Sequence, residues 1–458
     1  MKPPRAAAAD VARQETMTVP GLAARVAAAA ILRDVITNGH TLDKLFAGGT
    51  GLSRIGGLNP RDLALTRSIV TAALRRLGTI RHALAELLER GLPRGAAQIE
   101  WCLTAAAAQI LFLDVPDHAA VDLAVRMTRL DTKTAPYAAL VNGVLRNLAR
   151  RREAFVANIS PLDQDTPPWL AARWRKTYGE ETARAIAAAN SREPTLDISV
   201  KSDPEGWAEK LGAKILPTGS LRLAAHTPIP ELPGFEDGEW WAQDAAAALP
   251  ARLFTIEPGM RIADLCSAPG GKAAQLAARS ARVTAIDRSA ERLKLLAGNF
   301  ARLKLEAEIV VADVVALNAQ PFDAVLLDAP CSATGTIRRH PDVAWTKKPN
   351  DLVKLAAMQA RMLDKAFELV RPGGTIVYCT CSIEPEEGEQ QITALLRRNP
   401  DIVRVPVTKE EVGGFGELIN ANGEVRTLPS HCPAEDPRFA GLDGFFIARL
   451  VRREERGR

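Results

Sequence analysis

The chain has 458 residues, and at about 150 residues per domain that predicts three domains. Hydrophobic residues make up 47% and charged residues 25%, which excludes wholesale disorder, collagen and a coiled-coil rod, and no apolar run is long enough to cross a bilayer. Net charge is +5, but residues 1–160 carry 21 basic against 13 acidic side chains, so the front third holds the excess and favours an anionic partner such as nucleic acid.

The N-terminal string M-K-P-P-R-A-A-A-A-D lacks the apolar core of a signal peptide, so residues 1–19 are expected to form a flexible tail on a cytoplasmic protein. Residues 20–160 predict helices with short breaks. Apolar residues recur there at three- and four-residue spacing, as in Leu63, Leu65, Ile69, Val70, Ala73 and Leu74. Gly48 to Gly57 and Gly91 to Gly95 mark loops. The basic run Arg146, Arg150, Arg151 and Arg152 reads as a helix-end face or a stretch of RNA path. The Pro- and Asp-rich stretch Ser160 to Pro168 predicts a linker. Residues 161–250 predict that linker and a small α+β subdomain, with helices over Trp169–Tyr178 and Glu181–Asn190 and strands over Leu196–Val200 and Leu221–Ala224. The Trp240-Trp241 pair is read as core, and His40, His82, His118 and His226 as structural.

From residue 251 to 458 the pattern becomes strand, loop, helix. Candidate strands are Arg261–Leu265, Arg282–Ile286, Ala307–Val311, Ala324–Leu327 and Thr375–Cys379, with Asp443–Leu450 as a closing edge strand. Such alternation predicts a doubly wound, Rossmann-like parallel sheet with its site at the strand C-termini.

The first of these strands runs into A-D-L-C-S-A-P-G-G-K-A, Ala263 to Ala273. A P-loop would need Gly at Cys266 and Ser or Thr at Ala273, and the G-x-G-x-x-G spacing is absent. What remains is a tight turn beside an adenosine-type ligand without a phosphate. Asp287, at the end of the second strand, suits both ribose hydroxyls, and Asp313, at the end of the third, an adenine edge. An acidic lining suits the sulfonium of S-adenosylmethionine. The alternative is a generic turn with capping aspartates.

The fourth strand ends L-L-D-A-P-C-S-A-T-G and the fifth Y-C-T-C-S, so Cys331 and Cys381 are expected to border one pocket. Thiols suit cytosine methylation. Carbon 5 of cytosine is a poor nucleophile until a thiolate adds to carbon 6, and the thiolate can later leave. Six cysteines in this length do not predict a disulfide framework. A zinc site from Cys266, Cys331, Cys379 and Cys381 is disfavoured because no C-x-x-C pair is present, and no metal is expected. Cys379 reads as a small core hydrophobe. Cys102 and Cys432 read as bland.

The strings D-L-C-S-A-P-G-G-K, D-A-P-C-S-A-T-G and T-C-S together resemble the Nop/Sun family of RNA 5-methylcytosine methyltransferases. The run D-A-P-C-S-A-T-G-T-I-R-R-H-P-D, Asp328 to Asp342, is most similar to its Sun/Fmu (RsmB-type) branch, which methylates small-subunit ribosomal RNA, and the helical front third resembles NusB. The resemblance implies a multidomain chain: a NusB-like RNA-binding domain, a small α+β middle region and a Rossmann-like class I methyltransferase domain. It implies Cys381 as nucleophile, Cys331 for proton removal and release, and Asp328 against cofactor and cytosine. It further implies S-adenosylmethionine on Cys266, Ser267, Ala268, Pro269, Gly270, Gly271, Lys272, Asp287, Arg292, Asp313 and Asp328. Arg338, Arg339 and His340 are candidate RNA contacts. The implied partner is 16S rRNA or a pre-ribosomal small subunit, met by a monomer. The rivals are a NusB-like adaptor without catalysis, a tRNA cytosine enzyme, and a DNA cytosine methyltransferase in which Cys331 alone would attack. Residues 413–423 match no motif and read as an insertion.

Overall fold

The computed structural model describes residues 19–47, 55–93, 98–224 and 227–454. The expected tail up to residue 18, most of the loop at Gly48 to Gly57, Gly95 and His226 lie outside them. The chain forms two compact units: residues up to Arg192 with Arg339–Lys347, and Glu193–Arg338 with Lys348–Arg458.

The first unit is helical. Its centre is the helix Gln98–Phe112, buried almost all round, which is why it reads A-A-A-A and carries few charges. Around it pack Leu22–Asn38, Pro60–Arg75, Asp117–Arg129 and Ala138–Arg150, whose apolar stripes supply Leu32, Ile69, Val121 and Leu145. Caps fix the ends. The Asn59 side chain accepts from the Asp62 N–H at 2.8 Å with Pro60 in the first turn, and Gly39 closes Leu22–Asn38 at φ 68°.

The expected linker at 160–168 is instead an ordered turn, Pro161–Asp165. Asp165 is buried and accepts from the Thr79 N–H at 2.8 Å and the Thr79 hydroxyl at 3.0 Å. The Gln164 carbonyl lies where a Cβ on Gly78 would stand, so only glycine admits this turn. The unit then continues through helix Pro168–Asn190, broken at Gly179 as the two predicted helices imply.

The second unit opens with a four-stranded antiparallel sheet in the order β2-β3-β1-β4, made of β1 Leu196–Val200, β2 Lys214–Ile215, β3 Leu221–Leu223 and β4 Trp240–Ala242. The tryptophan pair is a strand here, with Trp240 fully buried. Arg222 is held inside this layer. Its Nε and Nη2 donate to Asp197 at 2.6 and 2.7 Å, and Nη1 donates to the Phe439 carbonyl at 2.8 Å.

The larger sheet holds β5 Arg261–Leu265, β6 Arg282–Asp287, β7 Glu308–Val311, β8 Phe322–Asp328, β9 Val370–Thr380, β10 Ile402–Arg404, β11 Val425–Arg426 and β12 Phe446–Arg452. The order is β10-β12-β9-β8-β5-β6-β7, with β11 paired to β12. Strands β5 to β9 are mutually parallel and β12 runs antiparallel to β9. The predicted closing strand is thus not an edge: β10 pairs on its far side, a three-residue strand too short to show a period. Strand order reverses between β5 and β8, which opens a crevice at their carboxyl ends. Residues 413–423 fold against the same unit. Leu418 is buried, and a Cβ on Gly413 would meet the Pro217 carbonyl oxygen at 2.4 Å.

Candidate active site

The β5 sequence Ile262, Ala263 and Leu265 is apolar and buried on both faces, so the chain leaves the sheet abruptly at Cys266, which adopts φ 65°. Gly270 follows at φ 103°, where a Cβ would meet Leu296 Cγ at 2.8 Å, and helix Gly271–Ala278 starts directly after it. Within this turn the Ser267 hydroxyl donates to Asp264 at 2.9 Å. At the end of β6, Asp287 is buried; it accepts from the Ser289 N–H at 2.9 Å and from Arg292 at 3.3 Å. Arg292 also donates to the Ala268 carbonyl, so the loops after β5 and β6 are tied. Asp313 is exposed beyond β7 and caps the Val315 N–H at 2.9 Å.

Asp328 ends β8 facing this turn. Lys272 Nζ donates to its Oδ2 at 2.8 Å, and the Cys379 thiol donates to Oδ1 at 3.4 Å. Burial works against the Lys272 ammonium, yet the Asp328 carboxylate raises its pKa overall. Burial and Asp328 hold Cys379 well above the thiol range. Cys379 is therefore buried as expected, but as a donor to Asp328 rather than as a plain hydrophobe.

The loops after β8 and β9 bring Cys331 and Cys381 together, with Sγ atoms 3.3 Å apart. Both are partly exposed. The hydrogen bond to Cys381, then burial, raises the Cys331 pKa well above the thiol range. Either thiol can donate in this contact. The Gly335 N–H donates to the Cys381 carbonyl at 3.0 Å, locking one loop onto the other. Among the described residues no group of three or more His, Cys, Asp or Glu could hold a metal ion.

The three predicted RNA-facing residues separate. Arg338 is withdrawn from that set. It is 3% exposed and its guanidinium donates to Asp244 at 2.5 Å and Asp443 at 2.8 Å, so charge that reads as solvent-facing in sequence is paired inside the fold. Arg339 and His340 belong to the first unit and are half-buried, with His340 Nδ1 3.8 Å from Asp43.

Two buried carboxyl groups do not stand out in the sequence, Asp264 and Glu387. Asp264 stands inside the quoted A-D-L-C-S string, and Glu387 in P-E-E-G-E, where a run of acids reads as a solvated face. Asp264 is fully buried with Oδ1 unpartnered among the described residues, and burial raises its pKa to about 7. The folded chain therefore holds this proton more tightly than the unfolded chain, and ionisation costs stability as pH rises from about 4 to 7. Asp264→Asn is expected to raise Tm relative to the native chain, with the gain growing from pH 5 to pH 8. An equal gain at both values in thermal scans would contradict this.

A parallel sheet reversing at β5 and β8, a glycine turn with acids at successive strand ends, and a thiol pair across the crevice define a Rossmann-like methyltransferase. Residues 251–451 match the family described as 16S rRNA methyltransferase RsmB/F, and residues 22–150 the NusB family. Ribosomal RNA small subunit methyltransferase B of Xylella fastidiosa (strain Temecula1) is 36% identical over 449 residues, covering 94% of this chain and 98% of that protein. Its counterpart from Xanthomonas campestris is 35% identical over 454 residues with the same coverage. The crystal structure of PH0851 superposes with a TM-score of 0.72 at 22% identity, over 95% of this chain and 99% of that one. NSun6 from Pyrococcus horikoshii with SFG gives 0.54 at 20% identity, over 63% and 99%. The chain belongs to the ribosomal RNA small subunit methyltransferase B family and is an rRNA methyltransferase.

Proposed function

We propose that the protein methylates carbon 5 of a cytosine in 16S rRNA, using S-adenosylmethionine. The single observation that carries this is the thiol pair at 3.3 Å between the β8 and β9 loops. S-adenosylmethionine supplies an electrophilic methyl group when bound. The residues present suit it: the Cys266–Gly270 turn has no room for a side chain at Gly270, Asp287 offers a buried carboxylate, and Asp264 keeps an unpartnered oxygen. Asp287 would hold the ribose hydroxyls, with Arg292 fixing the Asp287 carboxylate. Asp313 would stand toward the adenine edge, and Asp328, braced by Lys272, between cofactor and cytosine.

In this reading Cys381, as thiolate, adds to carbon 6 of the cytosine, and the ring electrons make carbon 5 nucleophilic. Carbon 5 would then bond to the methyl group, the methyl–sulfonium bond breaking with its electron pair left on sulfur and S-adenosylhomocysteine as the leaving group. Carbon 5 then loses its proton to solvent, and Cys331 assists this loss and the release that follows. The released electron pair restores the ring double bond and expels Cys381 as thiolate. Bisulfite sequencing of 16S rRNA from cells with and without the protein tests this. One cytosine that is protected only when the protein is present is expected, and an identical protection map would overturn it.

Asp287→Ala removes one charged acceptor from two hydroxyls. Its dissociation constant for S-adenosylmethionine is expected to rise about tenfold to a hundredfold, from roughly 1.5–3 kcal/mol per charge-assisted contact. Calorimetry showing unchanged affinity would remove Asp287 from the site.

The NusB-like unit is read as the source of backbone affinity. Helices Asp117–Arg129 and Ala138–Arg150 flank a groove lined by His118, Arg129, Arg146 and Arg150. Replacing the three arginines with Gln is expected to weaken RNA binding and flatten its dependence on log salt by about 0.7–0.9 for each phosphate no longer neutralised. An unchanged slope in filter binding across salt would place the RNA path elsewhere.

A further inference from the structure

Beneath the two cysteine loops lies a carboxyl group that the mechanism above does not use. Glu387 ends the turn Pro385–Glu387 and is fully buried. Its Oε1 accepts from the Ser332 N–H at 2.9 Å and from Gln359 Nε2 at 3.0 Å, and its Oε2 accepts from the Ser332 hydroxyl at 2.5 Å. Gln359 Nε2 also donates to the Pro330 carbonyl at 2.9 Å, so the residues on both sides of Cys331 are pinned. The Glu387 carbonyl accepts from the Tyr378 hydroxyl at 2.8 Å and the Thr380 hydroxyl at 3.2 Å, both on the strand that delivers Cys381. Ser332 and Ser382, each following one of the cysteines, are 3.1 Å apart through their hydroxyls. One residue thus organises both loops, its side chain holding the Cys331 loop and its backbone carbonyl the strand that delivers Cys381.

We infer that Glu387 is a positioning residue that divides the labour between the thiols: it sets the Pro330–Ser332 turn so that Cys331 donates toward Cys381, and its negative charge keeps the thiolate on Cys381. This rests on the reading of Cys381 as nucleophile. The groups that bear on Cys331 are few. Cys381 and Glu387 oppose its ionisation, the Ala333 N–H favours it, and Tyr378 beside it is held neutral by burial. The cation nearby, Arg426, donates to the Ser382 carbonyl at 2.5 Å and pairs with Glu389 at 2.7 Å, on the Cys381 side. The Glu387 carboxylate stands under the Cys331 loop, and a like charge there disfavours a Cys331 thiolate.

The test is alkylation of the full-length protein with iodoacetamide across pH, with each cysteine followed by peptide mass spectrometry. In the native chain Cys381 is expected to react first. Glu387→Gln keeps the shape and one acceptor but removes the charge. Cys331 alkylation at pH 8 is then expected to rise about tenfold, with its pH midpoint lowered by about one unit. Glu387→Asp should restore most of the native preference. In methylation assays Glu387→Gln should lower kcat with KM for RNA unchanged. Cys331 reactivity equal to native in folded Glu387→Gln would overturn the inference. If Glu387→Gln does not fold, Ser332→Ala removes a donor from the same carboxylate: slower Cys331 alkylation supports the inference and an unchanged or faster rate contradicts it. Alkylation needs no RNA, so a failure of the proposed cytosine chemistry would show separately, as absent methyl transfer by the native protein.

Discussion

Cys381→Ala is expected to abolish methyl transfer to RNA while leaving the protein folded. Without its thiol no bond to carbon 6 can form, and carbon 5 is never activated. The reference for such a loss is the whole covalent contribution rather than a tuning effect, so activity should fall below detection in a labelled-methyl assay. The fold should survive, because the change removes one sulfur from a partly exposed loop, at a cost of about 1 kcal/mol. Binding of S-adenosylmethionine should be retained, since the Cys266–Lys272 turn and Asp287 are untouched. Residual turnover comparable to native would show that Cys381 is not the attacking group.

Arg222→Ala carries the largest expected effect on stability. Arg222 and Asp197 are both fully shielded from solvent, and the variant leaves the Asp197 carboxylate buried without the guanidinium, while the Ala245 N–H at 3.1 Å still donates to it. Breaking a buried pair from one side costs about 3–5 kcal/mol. The double variant Asp197→Leu with Arg222→Met removes both charges and is expected to recover most of that loss. Chemical denaturation reads both. A single variant as stable as native would mean that water or another group reaches the pair.

The catalytic half of the chain is legible because its signals are local. Each of β5, β6, β8 and β9 carries an apolar run that ends in, or leads directly into, an acid or a cysteine (Cys266, Asp287, Asp328 and Cys381), so the strand ends name the site before any contact is known. Cys331 and Cys381 are 50 positions apart, and only the parallel order of β8 and β9 joins them; the alternation of strands and helices already implies that order. Arg338 shows the opposite case. Its string R-R-H-P-D looks like a basic loop, and nothing local reveals that Asp244 and Asp443, 94 and 105 positions away, close around it. The same limit hides Asp165, whose partner Thr79 lies 86 positions back, and turns an apparent linker into part of the helical unit. Glu387 is silent for this reason too, because its partners Ser332 and Gln359 come from two other segments. Short strands such as β10 and β4 fail differently: three residues cannot display a period, and pairing partners decide them.

The most direct test of the cysteine assignment is a denaturing gel of Cys331→Ala incubated with RNA and S-adenosylmethionine. If Cys381 attacks and Cys331 serves release, this variant adds to the cytosine, accepts the methyl group and stalls. A covalent protein–RNA band is then expected that needs S-adenosylmethionine and disappears in the Cys331→Ala, Cys381→Ala double variant. An adduct formed by Cys381→Ala and none by Cys331→Ala would contradict the assignment and make Cys331 the nucleophile.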